Sequence, residues 1–411
     1  MIEMVKVRQV FDGCQPLDIE AQLRTDFERL GIGNKLSPGS AIGLAVGSRG
    51  IDRLDAVVKT AAEILKEYGA KPAVFAAMGS HGGTEAGQLA VLRSLNISED
   101  RLGIAVKASD NYRQIGVFNG LPLYVNSLAL SFDYIVPVNR VKPHTSFRGP
   151  IESGLTKMVA VGIGGPPGAR VIHSRGAPFI SLLIEVLGQE LLQRLPILFG
   201  IALVEDKRHR LKCIRTCRKE DFTAVDRELL TEARRYMPRL PFEEIDVLIV
   251  DQIGKCFSGT GMDTNIIGRF GIRGIPDRGP KIKIIVALDL AEESHGNANG
   301  IGLADITTSK LVEKIDYPAT LKNVLTTSFL DRAKIPVTLK SDKEAIETAI
   351  SLLPETGEDV RLVHISNTLE IEEFYVSSNL AQRAGLEVIQ TGRVMDFDSQ
   401  GNLRGYIPLS S

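Results

Sequence analysis

The sequence predicts an α/β protein: two α/β domains with largely parallel sheets and a ligand cleft between them. Short apolar runs rich in β-branched residues alternate with segments of helical periodicity along the chain. Strands that are apolar throughout and are separated by helices are typical of a parallel sheet covered on both faces. The length of 411 residues fits two or three domains. Two prolines in MPRLPF (237–242) mark the predicted domain boundary, after which the alternation of apolar strands and helices begins again.

The first domain is expected over residues 1–238. Its helices are assigned from apolar residues at three- and four-residue spacing, and the first of them is expected to stop at Gly69. The predicted strands are 41–48, 72–80, 103–109, 133–139 and 196–206, and the predicted helices are 54–68, 84–95, 178–194 and 222–236.

The second domain is expected over residues 239–411, with the option that its last strands pack back on the first domain. Its apolar runs IDVLIVD, KIKIIVALDL and VRLVHISN are predicted strands. Its predicted helices lie near 302–316, 318–327, 342–353 and 377–384.

Charge and composition exclude several classes of protein. The chain has 49 Lys and Arg against 50 Asp and Glu, which excludes a general nucleic-acid binder and a polybasic membrane protein. No apolar run reaches the roughly 18 residues that a membrane span needs, and the start MIEMVKVRQVFDG lacks the pattern of a secretory signal. Four cysteines make no disulfide framework. We therefore expect a cytoplasmic protein with reduced thiols and with neither nucleic-acid nor membrane partners.

Glycine and polar residues follow three successive predicted strands, at 47–50, 79–83 and 139–144. In open α/β sheets, ligands bind outside the carboxyl ends of the strands. The glycines allow a ligand to approach the backbone, and the Arg, Lys and His side chains supply chemistry. The pattern therefore predicts one binding site at these strand ends, with Gly47, Ser48 and Arg49 among its residues.

Two histidines of this region are candidates for proton transfer. His81 and His144 each follow a predicted buried strand. A neutral imidazole near pH 7 can accept or donate a proton, and a pair on opposite faces of one carbon is what inversion of a stereocentre requires. The alternative is that they are surface or capping histidines.

Positive charge is concentrated in residues 139–176, around a glycine-rich core at 162–168 that includes Gly164 and Gly165. Backbone N–H groups beside cationic side chains favour an anionic ligand, phosphate or carboxylate; the alternative is a solvated loop. Neither a Walker A sequence nor a Rossmann fingerprint occurs there. The cationic or potentially cationic residues are Arg140, Lys142, His144, Arg148, Lys157, Arg170, His173 and Arg175.

A zinc site built from His81, His144 and His173 is the rival use of these histidines. No HExxH is present and no CxxC pair accompanies a histidine pair, and a serine hydrolase is disfavoured because no GxSxG occurs. The basic run KRHRLKCIRTCRK (207–219), with Cys213 and Cys217, is interpreted as a solvated connection.

The second domain contributes two glycine-rich segments, 258–269 and 292–308, that follow predicted strands. Asp263, Asn265 and His295 are the predicted substrate-binding residues there, in a wall that would close over the first domain's site. The alternative is turn chemistry, because Gly, Asn and Asp are common turn residues. Asp289 and His364 are expected to be structural.

The chain resembles the nickel-dependent lactate racemase family, and the first domain carries the resemblance. Arg49 looks like the arginine of the family's cofactor-binding loop. Gly79-Ser80-His81 and Lys142-Pro143-His144 look like the two motifs that carry its catalytic histidines. Lys157 is found where the family tethers its cofactor, and His173 where a histidine ligates nickel.

The resemblance implies a racemase or epimerase of a 2-hydroxy acid. It implies a nickel-pincer nucleotide attached covalently to Lys157, a His81/His144 acid–base pair, nickel ligation by His173, and cofactor-biosynthesis proteins that load the chain. Val46 replaces an acidic residue of the lactate enzymes, and the stretch from His144 to Lys157 is longer than theirs. Lactate itself is therefore not indicated, and the expectation is another 2-hydroxy acid, with a larger acid or a sugar acid as the options.

Two other classes stay open at this point. One is a metal-dependent hydrolase that uses the three histidines as zinc ligands. The other is a non-catalytic binder of an anionic metabolite or nucleotide. The sequence indicates neither the particular acid, nor the stereochemical direction, nor the oligomeric state.

Overall fold

The computed structural model describes residues 2–11, 15–354, 357–383 and 385–409, without the side chains of Asn323 and Thr326. Its contacts divide the chain into two units, which we call the first unit (Gly13–Met237) and the second unit (Met1–Asp12 with Pro238–Ser411). The sequence assigns residues 1–238 to the first domain but predicts no strand before residue 41, whereas the structure has an N-terminal strand, Met4–Gln9. This strand lies in the sheet of the second unit, because both of its edges are hydrogen-bonded to strands there.

The strands, in chain order, are β1 (Met4–Gln9), β2 (Ala41–Val46), β3 (Lys71–Ala76), β4 (Val106–Lys107), β5 (Tyr112–Phe118), β6 (Leu121–Asn126), β7 (Tyr134–Arg140), β8 (Gly200–Glu205), β9 (Leu211–Cys217), β10 (Glu244–Ile253), β11 (Lys281–Leu290), β12 (Ile306–Thr308), β13 (Val337–Leu339), β14 (Leu362–Ile365), β15 (Glu373–Ser377), β16 (Leu386–Phe397) and β17 (Leu403–Pro408).

The helices are α1 (Ile19–Leu30), α2 (Leu54–Glu67), α3 (Glu85–Ser94), α4 (Glu99–Leu102), α5 (Leu155–Lys157), α6 (Gly165–His173), α7 (Ile180–Arg194), α8 (Phe222–Tyr236), α9 (Thr264–Ile267), α10 (Ser309–Glu313), α11 (Tyr317–Thr327) and α12 (Asp342–Ser351). A π-helix, Met158–Ile163, joins α5 to α6. Among the described residues no single helix could span a membrane, and one bent pair, α6 with Ala177–Arg194, passes by length and composition only.

The first unit contains the parallel sheet that the sequence predicts. Within the described residues its strand order is β4-β3-β2-β7-β8-β9, and every pair is parallel except β8 with β9. The five predicted strands of the first domain correspond to β2, β3, β4, β7 and β8. The α/β fold class is therefore confirmed.

Helices cover both faces of this sheet, as its continuously apolar strands require. α1 and α2 pack on the face formed by Ile42, Leu44 and Val46 of β2. On the other face, a Cβ at Gly200 of β8 would lie 2.6 Å from the ring of Phe222, the first residue of α8. The absence of a side chain at Gly200 lets that helix pack directly on the strand.

The second unit has a mixed sheet with the order β13-β12-β11-β10-β14-β15-β1-β16-β17 in the described residues. The pairs from β13 to β14 are parallel. Those from β14 to β17 are antiparallel. Of the last strands, β16 pairs with β1 and β17 pairs with β16 in this sheet. Their bounds are missing from the sequence prediction because they are partly exposed and lack continuous apolar runs.

Four local predictions are wrong. Residues 302–316 contain strand β12 before the short helix α10, and the described part of 377–384 forms only one turn, Ser378–Leu380; Ala384 lies outside the described residues. The basic run 207–219 contains the edge strand β9, in which Leu211 and Ile214 are buried. The glycine-rich core 162–168 is helical rather than a loop.

Candidate active site

Three predicted site segments lie at the carboxyl edge of the first sheet. Strand β2 pairs in parallel with β3 on one side and with β7 on the other. Residues 47–49 follow β2, residues 79–81 follow β3, and residues 142–144 follow β7. Because parallel strands end at the same edge, the structure brings these segments to one side of the first unit.

The helical segment that carries Lys157 packs on the same edge. The N–H of Gly79 donates to the carbonyl of Gly162 at 3.2 Å. A Cβ at Gly47 would lie 3.3 Å from Met158 Cε. The residues next to Lys157 therefore contact the ends of both β2 and β3.

His144 is held by its own loop. Its backbone N–H donates to Glu152 Oε2 at 2.8 Å, and its ring Nδ1 accepts from the N–H of Ser146 at 3.1 Å. The ring also stacks on Phe147, with centroids 4.2 Å apart. Since Nδ1 accepts a hydrogen bond, the neutral ring carries its proton on Nε2.

His81 has the opposite arrangement. It is exposed, and its Nδ1 lies 3.3 Å from the carbonyl oxygen of Met78. A carbonyl oxygen can only accept, so Nδ1 carries the proton and Nε2 of the neutral ring keeps its lone pair. The first unit thus presents one imidazole arranged to donate from Nε2 and one arranged to accept there.

The amine of Lys157 has a pKa well below that of an ordinary lysine. Its Nζ donates to the carbonyl of Glu152 at 3.3 Å and lies 5.2 Å from the centroid of the Phe147 ring. Burial lowers the pKa of Lys157 to about 7, the positive charge of Arg49 acts in the same direction, and Glu152 opposes both. A large fraction of this amine is therefore neutral, and nucleophilic, at neutral pH.

The side chains of His173 and Arg49 have no protein partner among the described residues. Burial, with the charge of Lys157, lowers the pKa of His173 to about 4, so its imidazole is neutral at pH 7. Neither side chain makes a hydrogen bond or an ion pair within the described part of the chain. Arg49 reaches solvent, yet the surrounding protein and Arg140 lower its pKa. An imidazole with a free lone pair and a cation without a counter-ion are both available to a ligand.

Part of the positive charge in 139–176 is already neutralised. Arg140 is paired with Glu205, and Arg148 is paired with Glu152. The cations that remain for an anionic ligand are therefore fewer than the sequence indicates.

Gly164 and Gly165 have a packing role in the structure. A Cβ at Gly164 would lie 2.5 Å from the carbonyl of Ala160. Gly165 has φ +62°, and a Cβ there would lie 1.9 Å from the ring of Tyr112. Their predicted role in cofactor binding stays a prediction.

The three predicted substrate residues all belong to the second unit. Asp263 is buried and caps α9, accepting from the N–H of Asn265 at 2.9 Å. The Asn265 amide donates to the same carboxylate at 2.8 Å. His295 is exposed and left-handed, with φ +47°. Local turn chemistry accounts for these conformations, and the predicted contacts with substrate stay a prediction.

The zinc alternative needs His81, His144 and His173 in one cluster. Within the ranges that the structure describes, no three His, Cys, Asp or Glu residues are grouped so that they could hold a metal ion. Cys213 and Cys217 are also separated, because four residues along strand β9 span about 13 Å. The structure therefore does not assemble a metal site from protein side chains alone.

The fold has known counterparts among solved structures. The lactate racemase apoprotein of Thermoanaerobacterium thermosaccharolyticum is similar to this chain, with a TM-score of 0.55 and 14% sequence identity over 90% of this chain and 99% of that one. A structural-genomics protein of Thermotoga maritima has a TM-score of 0.50 and 15% identity over 68% and 72% of the two chains. No family model and no curated protein matches the sequence. The chain thus has a lactate racemase-like fold.

Sequence reasoning missed two buried carboxylates that support the site. Glu152 accepts the N–H of His144, and Asp226 of α8 accepts the N–H groups of Leu155 and Thr156, each at 2.8 Å, at the start of the helical segment with Lys157. Burial raises the pKa of Asp226 to about 6 against these hydrogen bonds. The available signal for Glu152 was its position as an acidic residue inside a strongly basic stretch.

Proposed function

We propose that this chain is a racemase or epimerase of a 2-hydroxy acid that uses a nickel-pincer nucleotide tethered to Lys157. One observation carries the proposal. Lys157, a half-buried amine with a pKa of about 7, and His173, a neutral imidazole without a partner among the described residues, lie on one helical segment at the sheet edge that presents the two histidines.

The side chains present fit this cofactor. The neutral fraction of Lys157 would supply the amine nitrogen of a covalent tether. The lone pair of His173 suits Ni(II), for which imidazole is a common donor, and the unpaired guanidinium of Arg49 suits a phosphate. When bound, the cofactor would supply reversible hydride transfer at the carbinol carbon of the substrate.

The chain's own contribution to the reaction is proton transfer. In the tautomers described above, His81 can accept the hydroxyl proton of one enantiomer at Nε2, and His144 can donate its Nε2 proton to the carbonyl oxygen on the other side. The reverse reaction exchanges these roles. Such a pair allows loss and return of the proton on opposite faces of one carbon.

The test is the intact mass and metal content of the chain after co-expression with nickel-pincer biosynthesis proteins in a nickel-supplied host. We expect one adduct of nucleotide size, localised by peptide mapping to Lys157, with about one nickel per chain. Lys157→Arg keeps the positive charge of the side chain but should carry no adduct.

Two outcomes would contradict the proposal. Zinc retained without an adduct on Lys157 would indicate a metal-dependent hydrolase. Failure to load any cofactor, together with binding of a nucleotide or an organic anion, would indicate a non-catalytic binder. A loaded chain would then be screened against 2-hydroxy acids, including sugar acids, with chiral separation of the products.

A further inference from the structure

Glu152 is a fully buried carboxylate at the centre of the loop between His144 and Lys157. Its Oε2 accepts from the N–H of His144 at 2.8 Å and from Arg148 Nη1 at 3.3 Å. Its Oε1 accepts from Arg234 Nη2 at 2.7 Å and from the N–H of Gly149 at 3.2 Å. A buried charge is tolerated only with such a set of partners, so these contacts hold the loop in one conformation.

Glu152 contacts both His144 and Lys157, the proposed proton-transfer group and the proposed attachment point of the cofactor. Its carboxylate holds the backbone of His144, two residues before the N–H of Ser146 that donates to the His144 ring. Its main-chain carbonyl accepts from Lys157 Nζ at 3.3 Å. Displacement of Glu152 would therefore release the imidazole and the amine together.

We propose that Glu152 is a positioning residue that keeps His144 in its Nε2–H tautomer and holds the amine of Lys157. The inference deepens the proposed function by assigning the residue that prepares both groups. Its physical basis is that one anchored carboxylate fixes the 144–146 turn, so that Ser146 N–H points at Nδ1 and excludes a proton from that nitrogen.

The first measurement is ¹⁵N NMR of histidine-labelled full-length chain, with the His144 signals assigned by their loss in His144→Gln. In the wild type we expect the Nε2–H tautomer of His144 to dominate. Glu152→Gln places an NH₂ group among N–H donors, so the signals should shift to a mixture of tautomers. Glu67→Gln removes a carboxylate from a surface pair with Arg24 in the same unit and should leave them unchanged.

The second measurement separates positioning from loss of structure. Competitive acylation with acetic anhydride, read by the mass of the Lys157 peptide against exposed lysines, reports the neutral fraction of the amine. The charge of Glu152 favours protonated Lys157, so in Glu152→Gln we expect labelling at pH 6 to rise about threefold. Unfolding of the helical segment that carries Lys157 would instead restore the ordinary pKa of a lysine and lower its labelling at pH 6.

If Glu152→Gln does not fold, a second variant tests whether Glu152 positions His144. Arg234, on α8, is half-exposed and donates to Glu152, so Arg234→Met keeps the carboxylate but removes one of its cationic partners. We expect a smaller shift of the His144 signals. The matched control is Arg227→Met. Arg227 lies on α8, as Arg234 does, and the substitution breaks its surface ion pair with Glu185.

Unchanged His144 and Lys157 signals in folded Glu152→Gln, or in Arg234→Met if the first variant fails to fold, would overturn the inference. So would an equal response of the matched control. Neither measurement needs the cofactor. The inference about Glu152 can therefore be contradicted while Lys157 still carries the adduct, and it can be supported in a chain that never takes up nickel.

Discussion

His173 of the first unit is half-buried and His364 of the second is buried, and the surroundings of the two rings differ. His364 has both ring nitrogens engaged: Nε2 lies 2.6 Å from Asp251 Oδ1 and Nδ1 lies 2.5 Å from the Tyr406 hydroxyl. The ring of His173 has no such partner among the described residues, and burial lowers its pKa. The difference indicates that His364 stabilises the second unit, as the sequence suggested, whereas His173 is available to a ligand.

The same contrast applies to the strand ends of the two units. In the first unit, Lys157 and Arg49 have lowered pKa values, which are characteristic of functional sites. In the second unit, Asp263 is engaged as a helix cap. Similar glycine-rich, polar sequences thus have different local environments in the two units, as the pKa values and hydrogen bonds show.

The largest expected effect is on turnover, and it tests whether the first unit holds the reacting groups. His81→Ala and His144→Ala should each lower racemisation about 10²- to 10⁴-fold, because each removes one proton-transfer group. Cofactor loading, measured as the adduct mass on Lys157, should persist. Near-normal turnover in both variants would contradict the acid–base pair.

The next effect compares the stability contributions of His364 and His173 by urea unfolding. His364→Ala should lower the free energy of unfolding by about 2 kcal/mol, because the buried Tyr406 hydroxyl and the Asp251 carboxylate lose a partner. His173→Ala should change it much less and should instead abolish nickel retention. Equal destabilisation by the two variants would contradict the contrast.

A third effect follows from the ionisation of Lys157. Its pKa is about 7 in the folded chain and 10.5 ordinarily, so between these values the unfolded chain binds the extra proton and stability rises with pH. The free energy of unfolding of the apoprotein should increase by about 2 kcal/mol from pH 7 to pH 9 through this group. Lys157→Met should lack that increase. Parallel pH profiles of the free energy of unfolding for the two proteins would disprove the contribution of Lys157.

A smaller effect tests the helix cap in the second unit. Asp263→Ala should lower the free energy of unfolding by about 1 kcal/mol, since the N–H of Asn265 loses its acceptor. Asp263→Asn, which keeps a side-chain oxygen, should recover most of that loss. Both variants are compared by urea unfolding, and a loss of turnover without a loss of stability would assign Asp263 to substrate binding instead.

The smallest effect concerns His295. Its left-handed backbone suits glycine, so His295→Gly should change the free energy of unfolding by less than about 1 kcal/mol. Turnover measured on the loaded enzyme should stay within about threefold of the wild type, well below the effect of a lost proton-transfer group. A fall of more than tenfold would show that the second unit contributes a substrate-binding imidazole.

The parallel strands of the two sheets could be predicted from the sequence because buried parallel strands consist of continuous apolar runs, such as AIGLAV in β2. The hairpin of β5 and β6 could not, because its residues alternate less regularly and are half-exposed. The helix from α5 to α6 was hidden by its glycines, which serve close packing against the Tyr112 ring and the Ala160 carbonyl. Glycine thus misled the local prediction where tertiary contacts explain it.

The sequence by itself determined the α/β class, the placement of His81 and His144 after buried strands, and the excess of positive charge between β7 and α7. Those properties depend on local periodicity and composition. Only the tertiary structure decided that Arg148 is neutralised and that Arg49 and His173 have no protein partner among the described residues. It also decided that Glu152 contacts His144 through its buried carboxylate and Lys157 through its main-chain carbonyl. The reason is physical: hydrogen bonds and desolvation depend on which residues meet in space, and the pKa of an amine such as Lys157 follows from that environment rather than from its neighbours along the chain.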